Sequence, residues 1–423
     1  MTNYTTETYQ TKRDILNFVN KISEETRKPT KKLAQDMVYG ISSRKSCLIS
    51  NIARELKEDI KLINTVDRLS NRLSYIEQDE IDKIKSNYYS EVVRYLPEEY
   101  VIVLNDDTDL NKEYSKKLED LCLVRDASSQ VERYVNGYKV CEYVALTETQ
   151  KSPISLYSKI YSTTSDNFKS ENDETIKGED EVIKMLNIHN RKPIFVRDRG
   201  YDANEYFKKD IKENNKFVTR LTGNRHLLFK GKKRLVDEVA KERKGKVVTN
   251  LMYHGENREC SISYTRVELP ACKGTEITLV TIHGLSDEGP MMLLTNLDVK
   301  DKVSAEHIVR LYFLRWRIEE YFNIKKEYNW ENSLLRSLES MNNLNMFLTI
   351  AITHVSILVE KLDKNFHSNL ILERAKSLQE KAIVYLGMMS TGIKEILRYA
   401  RTGIKEWQHI EVRTKYRQLQ LKL

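Results

Sequence analysis

Tyr312, Arg315, Glu319 and Lys326 lie at offsets of 0, 3, 7 and 14 within the stretch YFLRWRIEEYFNIKK. At about 100° per residue in an α-helix, those offsets fall within an arc of roughly 60°. A hydroxyl, a guanidinium, a carboxylate and an ammonium then share one face. Such a face suits a metal site working on a phosphodiester, because the cations hold the phosphate and the carboxylate holds the metal. A mixed-charge surface helix with i,i+4 pairs has the same spacing. The elements that would bring further ligands to Glu319 decide between the two.

Pro97 marks a change of texture along the chain. The residues EEYVIVLNDDTD follow it, a β-branched run that reads as a buried strand delivering Asp106 at its end. Strand-like segments come next at 135–146 and 153–161, then a helix over 173–188. A second buried strand, PIFVR at 193–197, delivers Asp198. YDANEYFKKDIKE reads as a helix and KFVTRL at 216–221 as another strand, an order that suggests a mixed α/β sheet. Residues 222–300 break into short strand candidates separated by Gly, Pro, Asn and Asp turns, as in a β-rich insertion. From 303 onward there is no proline and the pattern is helical. Before Pro97, apolar residues recur at helical spacing (Leu48, Ile52, Leu56, Ile60, Ile63, Val66, Leu69), with basic residues on the polar faces. That region reads as a small helical domain able to touch DNA, or as a helical arm for dimerisation.

Two carboxylates at the ends of buried strands, with a third on a later helix, would project into one crevice of an α/β sheet. Three hard oxygen ligands suit Mg²⁺ or Mn²⁺, and two such ions can serve both the attacking and the leaving oxygen of an in-line displacement. The eight histidines lie far apart and no C-x-x-C pair occurs, so no zinc pattern competes. Neither a G-x-x-x-x-G-K-[ST] loop nor a G-x-G-x-x-G is present, which leaves nucleotide hydrolysis without an anchor.

Bulk composition agrees with a polyanion partner. The net charge of +8 is unevenly placed. Residues 1–100 carry 17 Lys/Arg against 16 Asp/Glu, whereas 191–250 carry 18 against 8 and 390–423 carry 8 against 3. Local basic excess is the electrostatic footprint of nucleic acid. The five cysteines are scattered, as expected of reduced thiols in a cytoplasmic protein. No apolar run reads as long enough for a membrane span, and the first residues show no apolar signal region.

NDDTDLNK (105–112), VRDRGYD (196–202) and the spaced set Tyr312, Arg315, Glu319, Lys326 resemble the motifs of bacterial insertion-sequence DDE transposases. More narrowly, they resemble the insertion sequence family numbered four, the cut-and-paste group with a Tyr-Arg-Glu-Lys signature. The resemblance covers roughly 98–345. It implies an RNase H-like catalytic core with Asp106, Asp198 and Glu319 as the ligands of two Mg²⁺ ions, for which Mn²⁺ can substitute. Asp106 aligns because Thr108 follows it at +2, with Asp107 and Asp109 as competing choices and Glu320 as the alternative to Glu319. Arg220 matches a position that contacts transposon-end DNA, and Tyr312, Arg315 and Lys326 match positions that contact phosphates near the scissile bond.

The resemblance further implies binding to the double-stranded terminal inverted repeats, metal-dependent strand cleavage and transfer to target DNA, and a homodimer in the synaptic complex. The expected organisation is a helical DNA-binding domain at 1–97, the core at 98–221 and 303–345, the β-rich insertion at 222–302, and a helical dimerisation or DNA-contact region at 346–423. One departure stands out. Group members that pass through a DNA hairpin can hold a flipped base on a Trp of the insertion, and the three tryptophans here are Trp316, Trp330 and Trp407. Tyr253 or Phe229 are the candidate stacking substitutes. A nuclease or resolvase on the same core, or a transposase retained only for DNA binding, are the rival readings.

Overall fold

The computed structural model describes residues 4–405, apart from 127–130, 151, 246, 254, 287–288, 363 and 377–384. Five helices open the chain: α1 (Tyr4–Ile22), α2 (Lys28–Arg44), α3 (Ile49–Leu56), α4 (Leu62–Leu73) and α5 (Gln78–Val92). Leu69 and Leu73 on α4, like Ile52 and Leu56 on α3, are buried, as their spacing requires. Ile60 and Ile63 are exposed.

After Pro97 come β1 (Tyr100–Asn111), β2 (Cys122–Arg125), β3 (Tyr134–Leu146), β4 (Pro153–Tyr161), α6 (Glu171–Ile188), β5 (Lys192–Arg197), α7 (Asn204–Glu213) and β6 (Lys216–Arg220). β1, β5 and β6 are parallel neighbours, and β1 is also antiparallel to β3. Their fully buried Val, Ile, Leu and Phe runs are those of strands covered on both faces.

The strands expected between 222 and 300 are present: β7 (His226–Phe229), β8 (Lys232–Leu235), β9 (Val247–Tyr253), β10 (Glu256–Val267), β11 (Ile277–His283) and β12 (Met291–Thr295), with a short helix α8 (Val236–Glu242). β12 pairs antiparallel with β6, so β12, β11, β10 and β9 lengthen the same sheet. The order is β2-β3-β1-β5-β6-β12-β11-β10-β9, with β4 beside β3. Among the described residues, β7 and β8 form a separate two-stranded sheet. This mixed α/β architecture, one large mixed sheet with helices against it, is compatible with an RNase H-like transposase core.

The remaining helices are α9 (Lys302–Phe313), α10 (Arg317–Glu327), α11 (Leu338–Glu360), α12 (Phe366–Arg374) and α13 (Tyr385–Leu397). Contrary to the sequence reading, α11 is long and apolar enough to cross a membrane, but 89% of its most apolar window is buried inside the fold. It runs along β4, and its side chains, with those of α5, satisfy the outer edge of that strand. Tyr88 and Tyr89 donate to the carbonyls of Ser155 and Leu156, Asn342 makes a reciprocal pair with the backbone of Ile160, and Ser356 donates to the carbonyl of Pro153. An edge that would otherwise present unpaired amides and carbonyls is thereby closed. Much of the basic C-terminal stretch and part of the 346–423 region, including Trp407, lie outside the described residues.

Candidate active site

The parallel pairing of β1 with β5 ends at Asn105 opposite Arg197. The next residue on each strand is a carboxylate, Asp106 and Asp198, and there β5 turns away into a short 3₁₀ turn at Arg199–Tyr201. Asp106 does not end its strand, as the sequence suggested. β1 continues to Asn111 because its pairing with β3 persists, with Asp106 directly opposite Glu142. What ends at Asp106 is the parallel half of the pairing, and that opens the crevice.

Strand alternation places Asp107 and Asp109 on the other face of β1. Asp107 stands opposite Cys141 and Asp109 opposite Lys139. Burial pushes the Asp107 carboxyl up to about 7, with Asp106 next in sequence adding to the rise.

The stretch from Tyr312 to Lys326 is not one continuous α-helix. α9 ends at Phe313, a 3₁₀ turn occupies Leu314–Trp316, and α10 begins at Arg317. A 3₁₀ turn advances about 120° per residue, so the 60° arc does not hold along the whole stretch. Three of the four side chains nevertheless meet the carboxylates. The Tyr312 hydroxyl donates to Asp198 at 2.9 Å. The Arg315 guanidinium donates to Glu319 at 2.8 Å and to Asp106 at 3.4 Å. Arg220 adds a weaker contact, its Nη1 3.9 Å from Asp198. Lys326 is exposed in the last turn of α10 and, among the described residues, makes no ion pair with the three carboxylates. Glu320 turns aside to pair with Arg317 at 2.8 Å.

The electrostatics of the Asp106 and Asp198 carboxyls diverge. Burial pushes Asp106 up to about 6; Arg315 opposes the rise, while Asp198 and Glu319 add to it. Asp198 is held below its ordinary value although burial opposes this, because the Arg199 amide, Arg315, Tyr312 and Arg220 all favour its charged form. Burial and the Asp198 charge push the Tyr312 hydroxyl up to about 12, so it remains a donor.

As they stand, the three carboxylates are tied to cations and hydroxyls rather than to one another. Among the described residues no three His, Cys, Asp or Glu side chains are grouped closely enough to hold a metal ion. The donor set itself fits a hard divalent ion: oxygen ligands only, on half-buried carboxylates that face one crevice.

Two supporting clusters escape the sequence reading. Lys325, fully buried, donates to Glu142 at 2.6 Å, to Ser158 at 2.9 Å and to Asn345 at 3.1 Å, and its ammonium lies 5.0 Å from the ring centre of Trp330. The signal was present, since Ile318, Tyr321, Phe322 and Lys325 complete the i, i+3, i+4, i+7 stripe of α10 that faces the core. Arg197, which immediately precedes Asp198, is likewise fully buried and joins Glu179 of α6 at 2.6 Å to Asp210 of α7 at 2.5 Å. Its Cζ lies 4.6 Å from the centre of the Phe195 ring.

Of the proposed stacking residues, Phe229 is buried under the β7–β8 hairpin and is not open to a base. Tyr253 is half-buried and packs on Phe313, ring centres 5.6 Å apart.

No curated protein matches this chain. A family model described as "Transposase DDE domain" matches residues 101–353, which span β1 with Asp106, the turn with Asp198 and the helix with Glu319. The chain belongs to the DDE transposases, metal-dependent enzymes that cut DNA.

Proposed function

We propose that this is a cut-and-paste transposase of the Tyr-Arg-Glu-Lys group, insertion sequence family four, which binds the terminal inverted repeats of its element, cleaves at the ends and joins them to target DNA. The observation that carries the reading is the meeting of the signature segment with the carboxylates of both strands: Arg315 on Asp106 and Glu319, and Tyr312 on Asp198. Asp106, Asp198 and Glu319 would hold the metal, with Mg²⁺ as the expected ion. When bound, it would supply Lewis-acid stabilisation of the oxygens that gain charge during phosphoryl transfer.

The chain's own groups then have defined tasks. Tyr312, Arg315, Arg220 and Lys326 hold phosphate oxygens on either side of the scissile bond. Water attacks the phosphodiester in line and a 3′-hydroxyl leaves; that hydroxyl later attacks a target phosphodiester at the same site. Residues 1–97 act as the DNA-binding domain, 98–221 and 303–345 as the core, 222–302 as the insertion and 346–423 as a dimer or DNA contact. Synapsis of two ends calls for a homodimer.

The test is a strand-transfer assay with a pre-cleaved terminal-repeat duplex, a plasmid target and Mg²⁺. Joined product is expected. Cleavage of an uncut end without any joined product would sink the reading in favour of a nuclease or resolvase. A hairpin band on a denaturing gel separates the hairpin route from direct joining.

A further inference from the structure

Six of the sixteen residues from 220 to 235 are Lys or Arg and none is Asp or Glu. Three of the six are engaged by carboxylates from elsewhere. Arg220 approaches Asp198, Arg225 binds Asp202 at 2.6 Å, and Arg234 reaches Glu238 and Glu242. The other three, Lys230, Lys232 and Lys233, are exposed at the tip of the β7–β8 hairpin and form no ion pair among the described residues.

The tip is stiff. Phe229 pairs with Lys232, so the turn is the two residues Lys230 and Gly231, both in the left-handed region at φ 50° and 74°. Positive φ at both positions is the type I′ turn that matches strand twist. Leu227 and Phe229 are buried beneath, and Leu228 bridges to Glu268.

The root of the hairpin is fastened to the loop that follows Asp198. Asp202 accepts from the amide and hydroxyl of Thr222, at 2.8 and 2.7 Å, and from Arg225. Beside this root lies a polar cleft of about 470 Å³, lined among others by Asn204, Asn224, Arg225, His226 and Lys233.

We propose that the β7–β8 hairpin is a backbone clamp for duplex DNA, gripping phosphates that flank the one held by Tyr312, Arg315 and Arg220. The inference rests on the transposition reading and adds a surface to it. Three clustered ammonium groups are point charges that suit phosphate oxygens, and contacts to phosphate fix a protein on the duplex without reading its sequence. The two-residue turn fixes the backbone that carries the three lysines before DNA arrives, so binding has only their side chains to order.

The test compares the full chain with the Lys230→Ala/Lys232→Ala/Lys233→Ala variant, binding a linear terminal-repeat duplex over a series of salt concentrations. Each phosphate contact contributes about 0.9 to the slope of log K against log salt, or roughly eightfold in affinity at 0.1 M. The slope is expected to fall by roughly 2 to 3 in the variant, equally for terminal-repeat and unrelated duplexes. A slope equal to that of the unsubstituted chain would overturn the hairpin inference alone. An unsubstituted chain that bound no duplex at all would overturn the transposition reading as well.

Discussion

Asp106 and Glu142 stand directly opposite one another on antiparallel strands, so their side chains leave the sheet on the same face. The segment carrying Glu319 answers both. Arg315 binds Asp106 at 3.4 Å, and ten residues on Lys325 binds Glu142 at 2.6 Å. Glu319 is therefore fixed from two sides against one patch of sheet, the first contact half-exposed and the second fully dry.

Removing one member of the dry pair leaves the other buried without a counter-charge. Lys325→Met is expected to destabilise the fold by about 3–5 kcal/mol, whereas Lys325→Met combined with Glu142→Leu should recover much of that loss. Urea unfolding of the two variants measures the difference. Ser155 and Ser158 also donate to Glu142, at 2.5 and 2.7 Å, and a double variant no more stable than the single one would show that these hydroxyls and Asn345, rather than the ion pair, carry the effect.

Glu319→Gln keeps the size of the side chain and its reach to Arg315 but removes the anionic ligand. DNA cutting should be abolished, while binding of a terminal-repeat duplex in a gel-shift assay stays largely intact. Equal loss of both would contradict the metal role assigned to Glu319.

Arg197 bridges Glu179 at 2.6 Å and Asp210 at 2.5 Å at the base of the Asp198 turn, and Lys209 stands 3.8 Å from Glu179. Arg197→Met should cost about 3–5 kcal/mol in unfolding experiments. Arg197→Lys should rescue it poorly, since one ammonium cannot replace a fork that spans two carboxylates.

Burial pushes the His354 imidazole down to about 3, and the nearby Lys361 and His367 act in the same direction. The folded chain thus keeps this ring neutral, while the unfolded chain takes up a proton below the ordinary value of 6.5. Stability falls as pH drops from 6.5 towards 3, by about 2 kcal/mol between pH 7 and pH 5. His354→Leu should flatten that part of the urea-midpoint profile. An acid limb as steep as that of the unsubstituted chain would assign it to other groups.

The strands and helices that carry the site were legible because each announces itself by period or by a β-branched run. VIVL and PIFV read as buried strands and are buried strands. The break at Leu314–Trp316 was not legible, since neither Pro nor Gly marks it. The pull of Tyr312 towards Asp198 and of Arg315 towards Asp106 is a tertiary matter that propensity does not encode. Lys325 was overlooked for a related reason. A lysine on an apolar stripe reads as a surface residue until its partner Glu142, 183 positions earlier, is known. The short strands after 222 were visible, but their joining to β6 was not, because edge pairing depends on which strand is left free.

The closed edge of β4 carries a consequence for synthesis. Its seal draws on Asn342 and Ser356, which lie about two hundred residues after the strand they cover. A ribosome finishing β12 has delivered every strand of the sheet but not α11. Until that helix emerges, the nascent chain exposes a ready-made pairing edge, and chains truncated before 338 should stick to one another through β4. Chaperone dependence, rather than the thermodynamics of the finished fold, would then set how much active protein a cell obtains.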